Sequence, residues 1–127
     1  MSKIGIAISG GPNPAEMIDL LVLAENLGYE SAWVAEGHGG DQFAILAACA
    51  MRTSRIRLGT SISSVFVRTA PTIAMAASTI ADLSNGRFIL GLGVQSQGAG
   101  RTRARDGVHQ AANPHPRNRR DRPRADP

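Results

Sequence analysis

The seven residues 88–94, reading FILGLGV, carry apolar side chains at odd and even positions alike. A strand with one wet face alternates polar with apolar residues, so a run without alternation reads as a strand covered on both sides. Coverage of that kind belongs to parallel sheets, whose crossover helices lie on their faces. Just before the run, Asn85-Gly86 supplies turn chemistry. The first of these residues tolerates positive φ and the second has no side chain to oppose it. Gly91 and Gly93 remove bulk from one face of the strand. Either close approach of a ligand or tight packing inside a barrel calls for this.

Three earlier segments repeat the pattern. Residues 4–8 form a short apolar run that ends at Ser9-Gly10-Gly11. Asn13-Pro14-Ala15-Glu16 then opens a helix, with Asn13 as its cap, proline at the first helical position and Glu16 placed to reach back. Met17, Leu20, Leu21, Ala24 and Leu27 follow at helical spacing, and Gly28 terminates the helix. A second strand, 31–35, delivers Glu36 and then Gly37-His38-Gly39-Gly40. Asp41 can cap a second helix with Phe43, Leu46, Ala47 and Ala50 on its buried face. Residues 56–62 form a third strand that runs into a loop reaching Arg68. Pro71 starts a third helix with Ile73, Ala76, Ala77 and Ile80 inside, and the fourth strand spans 87–94.

The order is thus β-α-β-α-β-α-β, which predicts parallel strands joined by right-handed crossovers. A doubly wound nucleotide-binding sheet would place G-x-G-x-x-G directly after the first strand. The turn here reads Ser9-Gly10-Gly11-Pro12-Asn13-Pro14 and lacks that spacing, although Glu36 sits where a ribose-binding acid would be. The other architecture is the (β/α)₈ barrel, which takes roughly 250 residues. Four strands in 127 residues make half of one.

Charge divides the chain. Residues 1–97 hold six basic and seven acidic side chains, a net of −1, whereas residues 98–127 hold eight arginines and three aspartates, a net of +5. The second part has only Val108 as a sizeable aliphatic residue, so it is expected to be a disordered Arg/Pro-rich tail. It has no aromatic residue to stack on bases, which argues against specific nucleic-acid binding. A signal peptide needs an apolar core of about 7–15 residues, longer than 4–8. No stretch nears the roughly 20 apolar residues of a membrane span. The single cysteine, Cys49, lies in an alanine-rich run, where a lone thiol packs and forms no internal disulfide. These features together predict a cytoplasmic protein.

The residues carry a family resemblance as well. YESAWVAE (29–36) resembles the second-strand motif of the luciferase-like oxidoreductases. RIRLGTSISSVFVRTAPTIAMAASTIADLSNGRFILGLGV (55–94) resembles their third strand with its long exit and the fourth strand beyond. Within that family the likeness is greatest to the branch that uses the deazaflavin coenzyme F-420, and it spans residues 4–97. It implies an α/β fold, half of a TIM barrel, with the cofactor ring over the carboxyl ends of the strands. It implies hydride exchange at F-420, with FMN and oxygen chemistry of the monooxygenase branch as the alternative, acting on a small-molecule substrate.

The resemblance also assigns positions. Glu36 falls where the family keeps an acidic or small polar residue near the ring. Ser61-Ile62 falls on a non-proline cis peptide in a bulge behind it, and Gly93, Val94 and Gln95 on the fourth-strand exit lining the same pocket. Sugar-oxidising members place a histidine directly after the second-strand acid, where Gly37 stands here, with His38 one place later. Their glutamate beyond the fourth-strand glycines is replaced by Ser96. Glu36 and His38 remain the catalytic candidates. For Glu36 the bland reading is a salt bridge, and for His38 a solvated loop. Arg68 is read either as a surface arginine or as a partner for an anionic cofactor tail or substrate, and Trp33 as core. His109 and His115 lack the spacing of a metal site.

Two function classes follow. One is an oxidoreductase, whole or reassembled by association. The other is a truncated, non-catalytic product whose basic tail binds acidic partners weakly. Back-translating residues 113–127 and shifting by one base permits TRIRETVEIVRALI, a string with a helical apolar face. A frameshift near residue 98 is therefore expected to explain the tail. The unpaired edges of a half barrel would offer a route to a homodimer.

Overall fold

In a computed structural model the described residues are 3–9, 13–37 and 39–94. They form β1 (Gly5–Ile8), α1 (Pro14–Asn26), β2 (Ser31–Val34), α2 (Gln42–Arg52), β3 (Arg57–Thr60), β4 (Ser63–Ser64), α3 (Ala70–Leu83), β5 (Phe88–Ile89) and β6 (Leu92–Gly93). The tail, residues 98–127, lies outside the described residues.

Four of the six helix ends among the described residues are closed by local capping that the sequence supplies. Asn13 Oδ1 accepts from the Glu16 amide at 3.0 Å, and Asp41 Oδ1 from the Ala44 amide at 2.9 Å. At the end of α1, Gly28 has φ +85°, its amide donates to Glu25 O, and the Tyr29 amide donates to Ala24 O. This is the paired bonding of a Schellman stop. Asn85 (φ 52°) and Gly86 (φ 77°) close α3 in the same way, through Asp82 O and Ala81 O.

The main sheet runs β1-β2-β3-β5, all parallel, with Ile6 opposite Ala32 and Ala32 opposite Leu58. The first strand lies at an edge and the order follows the chain, as in a barrel. A doubly wound sheet places its first strand inside. The core lies between the sheet and the helices, where Met17, Leu21, Leu46, Ile56, Leu58 and Ile80 are fully buried.

Several expectations need correction. Leu20 and Leu27 are exposed, because at 100° per residue they fall about 60–80° round the helix from Met17. The α1 stripe that meets the core is Met17, Leu21 and Ala24. Trp33 belongs to the sheet face opposite the helices and is half-buried there. Its indole lies over Gly59, where a Cβ would collide with the ring, and its Nε1 donates to Ser31 Oγ at 3.1 Å. The third and fourth strands are each broken in two. Thr60 Oγ1 donates to Gly91 O and accepts from Gly91 N, both at 2.8 Å, which inserts a side chain into the ladder. Beyond the break β4 pairs with β6 in a separate two-stranded sheet. No helix among the described residues is long and apolar enough to cross a membrane.

Candidate functional site

The break in the ladder lies at the carboxyl ends of the strands, where parallel sheets present their ligand sites. Thr60-Ser61 continues β3 far enough for the Ser61 amide to donate to Val34 O at 2.9 Å. The Ser61–Ile62 peptide that follows is cis. Ser63 then rejoins the fourth strand, its amide donating to Gly91 O at 2.8 Å. The bulge therefore spans the exits of the second, third and fourth strands.

Gly93 meets this bulge directly. A Cβ on Gly93 would stand 2.7 Å from Cδ1 of Ile62, and one on Gly91 would strike the carbonyl oxygen of Thr60. Tight packing between neighbouring strands therefore accounts for both glycines. Ser61 and Val94 are exposed and Ile62 is half-buried. Ser61, Ile62, Gly93 and Val94 thus lie together at the carboxyl ends of the third and fourth strands. His38 and Gln95 lie outside the described residues.

Glu36 leaves β2 beside this rim, and its side chain is 8% exposed. A carboxylate so placed needs a partner, and Arg68 supplies it. Arg68 Nε donates to Glu36 Oε2 at 3.3 Å and Nη2 to Glu36 Oε1 at 3.2 Å, a bidentate pairing. Nη2 also donates to Asp41 Oδ2 at 2.8 Å. The guanidinium carbon stands 5.0 Å from the ring centre of Phe43, a cation–π distance. The anion that Arg68 meets is therefore the chain's own pair of carboxylates. The salt-bridge reading of Glu36 is what the structure displays.

The electrostatics follow from these contacts. For Arg68, hydrogen bonding to Glu36 is the main influence, and together with Asp41 it raises the pKa above the ordinary arginine value despite partial burial. For Asp41, burial pushes the carboxyl up, but the Ala44 amide and Arg68 outweigh it and hold it below the usual aspartate range. Cys49 is buried, and desolvation pushes its thiol up to about 12. At that value it is no nucleophile near neutral pH.

Gln42 is the residue that pattern reading passed over. It is fully buried at the first turn of α2, and Nε2 donates to Val34 O at 2.6 Å and to Ile62 O at 3.3 Å. One amide thus joins the end of β2 to the cis bulge. Its position on the same stripe as Leu46 and Cys49 was the available signal, a polar residue on an apolar face.

The residues present suit a flat, largely apolar ring with polar edges. Ile62 and Val94 offer apolar contact, Gly93 keeps the strand exit low, and the negative charge of Glu36 is compensated. Among the described residues no group of three or more His, Cys, Asp or Glu is placed to hold a metal ion.

Comparison with known proteins gives the chain its family. The family model described as luciferase-like monooxygenase matches residues 1–122. A Mycobacterium tuberculosis protein, named provisionally as a coenzyme F-420-dependent oxidoreductase, is 40% identical over 94 residues, covering 72% of this chain and 27% of its own. The F-420-dependent glucose-6-phosphate dehydrogenase of Amycolatopsis mediterranei is 36% identical over 104 residues, 73% of this chain and 31% of its own. The chain thus spans about three tenths of the length of these relatives.

Among solved structures, the coenzyme F-420-dependent tetrahydromethanopterin reductase of Methanopyrus kandleri superposes with a TM-score of 0.72 at 26% identity. The match covers 80% of this chain and 30% of that one. The oxygenating constituent of 3,6-diketocamphane monooxygenase of Pseudomonas putida, solved with FMN, gives a TM-score of 0.70 at 17% identity, covering 81% and 32%. At that identity the likeness concerns the fold alone.

Proposed function

The chain belongs to the luciferase-like monooxygenase family, and on that premise we propose that its rim receives a redox ring, F-420 in preference to FMN. The observation that carries this is the meeting of Ser61, Ile62, Gly93 and Val94 at one open edge, with Glu36 set behind it and paired. F-420 is favoured because relatives at 36% and 40% identity bear F-420 in their names, whereas the FMN-bearing neighbour is 17% identical. When bound, a deazaflavin supplies two-electron hydride exchange with a small-molecule substrate.

The chain's own residues have simpler duties. Ile62 and Val94 keep water from the apolar face of the ring. Glu36, already bound to Arg68, fixes the position of that guanidinium. Four strands provide part of a barrel's rim, so the 127 residues are expected to bind a cofactor more readily than to turn over a substrate.

A second reading rests on the +5 charge of residues 98–127. In it the chain is non-catalytic and associates weakly with acidic partners through those residues.

Separate fluorescence titrations with F-420 and with FMN distinguish the readings. Saturable binding that favours F-420 supports the first, and preference for FMN moves the chain to the monooxygenase branch. Binding of neither, together with a salt-sensitive interaction lost on deleting residues 98–127, supports the second.

A further inference from the structure

The rim carries a holding device that its cofactor role does not itself require. The loop of residues 61–68 leaves the main sheet at the cis bulge, pairs with the fourth strand through Ser63-Ser64 and returns to the body at Arg68. Between these ends Val65, Phe66 and Val67 are all exposed, at 46, 58 and 51%. The loop's middle has few ties of its own. The Val65 amide reaches Gly93 O at 3.3 Å, the Phe66 amide Ser64 Oγ at 3.3 Å and the Val67 amide Ser64 O at 3.2 Å. These are long bonds, near the outer limit for N–H donors.

The ends are held differently, and by consecutive residues. Gln42 Nε2 reaches the near end at Ile62 O over 3.3 Å, beside the backbone bonds of Ser61 and Ser63, while Asp41 Oδ2 and the Phe43 ring hold the far end through Arg68. Asp41 Oδ1 at the same time caps the helix that carries all three residues. Fraying of the first turn of α2 would thus loosen the far end and remove one tie from the near end, which keeps the backbone bonds of Ser61 and Ser63. Two carboxylates face one guanidinium, so the far end is an ionic contact between side chains on three separate segments.

We infer that Asp41-Gln42-Phe43 is a two-point clamp on the loop of residues 61–68, with Gln42 and Arg68 as positioning residues for the rim. Glu36 then acts on the site through Arg68 and not on the substrate. Only the effect on the cofactor rests on the function proposed above.

Native-state cleavage by thermolysin, with the full chain and products identified by mass, reads the clamp directly. Cleavage at 65–67 follows the population of the locally open loop. Arg68→Ala is expected to speed that cleavage about tenfold and Gln42→Leu by less, while sites elsewhere keep their rates, since opening is confined to the loop. Arg68→Lys, which keeps the charge but loses the fork, should fall between. The same variants should weaken F-420 binding in the order of their cleavage rates.

Equal acceleration at every site, in step with a lower melting temperature, would overturn the clamp, as would unchanged cleavage at 65–67. Should Arg68→Ala fail to fold, Arg68→Lys decides by the same criterion. If the unsubstituted chain binds no cofactor, the proposed function falls, while the cleavage result still judges the clamp.

Discussion

At the amino-terminal ends of the strands, Arg87 makes five hydrogen bonds: to Ser84 O, Thr53 Oγ1, Ile56 O, Ala50 O and Thr53 O, at 2.8–3.1 Å. Close by, the Glu25 carboxylate accepts from the amides of Ser54, Arg55 and Ile56 at 2.7–3.1 Å. At the carboxyl ends, Arg68 instead meets the side chains of Glu36, Asp41 and Phe43. Backbone dipoles hold the floor and side-chain charges hold the rim. Backbone partners move only if the fold moves, whereas side-chain partners can exchange as a ligand arrives.

The largest effect is expected at the floor. Arg87→Leu leaves four main-chain carbonyls without their donor, and a charged donor lost from a partly buried network costs about 3–5 kcal/mol. Urea unfolding followed by circular dichroism measures it, and a loss below about 1 kcal/mol would erase the contrast with the rim.

Gly91→Ala comes next and tests the junction between the two regions. The new methyl group meets the Thr60 carbonyl, a backbone atom that cannot swing aside. A cost of about 2–3 kcal/mol is expected from overpacking of this kind. A neutral result would show that the ladder break is loose.

The smallest effect sharpens the comparison through pH. Partial burial pushes the Glu25 carboxyl up, but the amides of Ile56, Arg55 and Ser54 outweigh it, so its folded pKa lies below the ordinary value of 4.5. A depressed pKa means the stability it contributes is present above 4.5 and lost as the pH falls through the folded value. Because the side chain is largely open to water, about 1 kcal/mol is expected. Glu25→Gln should lose this increment at neutral pH and show a flatter stability profile below pH 4.5. Identical acid profiles would remove Glu25 from the floor.

Much of this arrangement was legible in the residues. Asn13, Asp41 and Gly28 marked the helix ends because capping is local chemistry, set by a side chain and the next few amides. The parallel order was legible because FILGLGV does not alternate. The ladder break was not, since it depends on Thr60 reaching Gly91 across strands distant in sequence. Arg87 and Glu25 also escaped notice. Their partners are main-chain atoms, and any sequence supplies those. Of the rim, the cis peptide was anticipated only through family resemblance. A salt bridge stood as one reading of Glu36, but Arg68 was not named as its partner, because 32 residues separate them and no periodicity links them.

The central claim is that the carboxyl rim, and not the floor, is where this chain meets its redox partner. Hydrogen exchange with and without F-420 tests it amide by amide. The account predicts slower exchange around Ser61 to Ser64 and Gly91 to Val94, with Ser54 to Ile56 unchanged. Slowing at the floor alone, or none anywhere at saturating F-420, would contradict it.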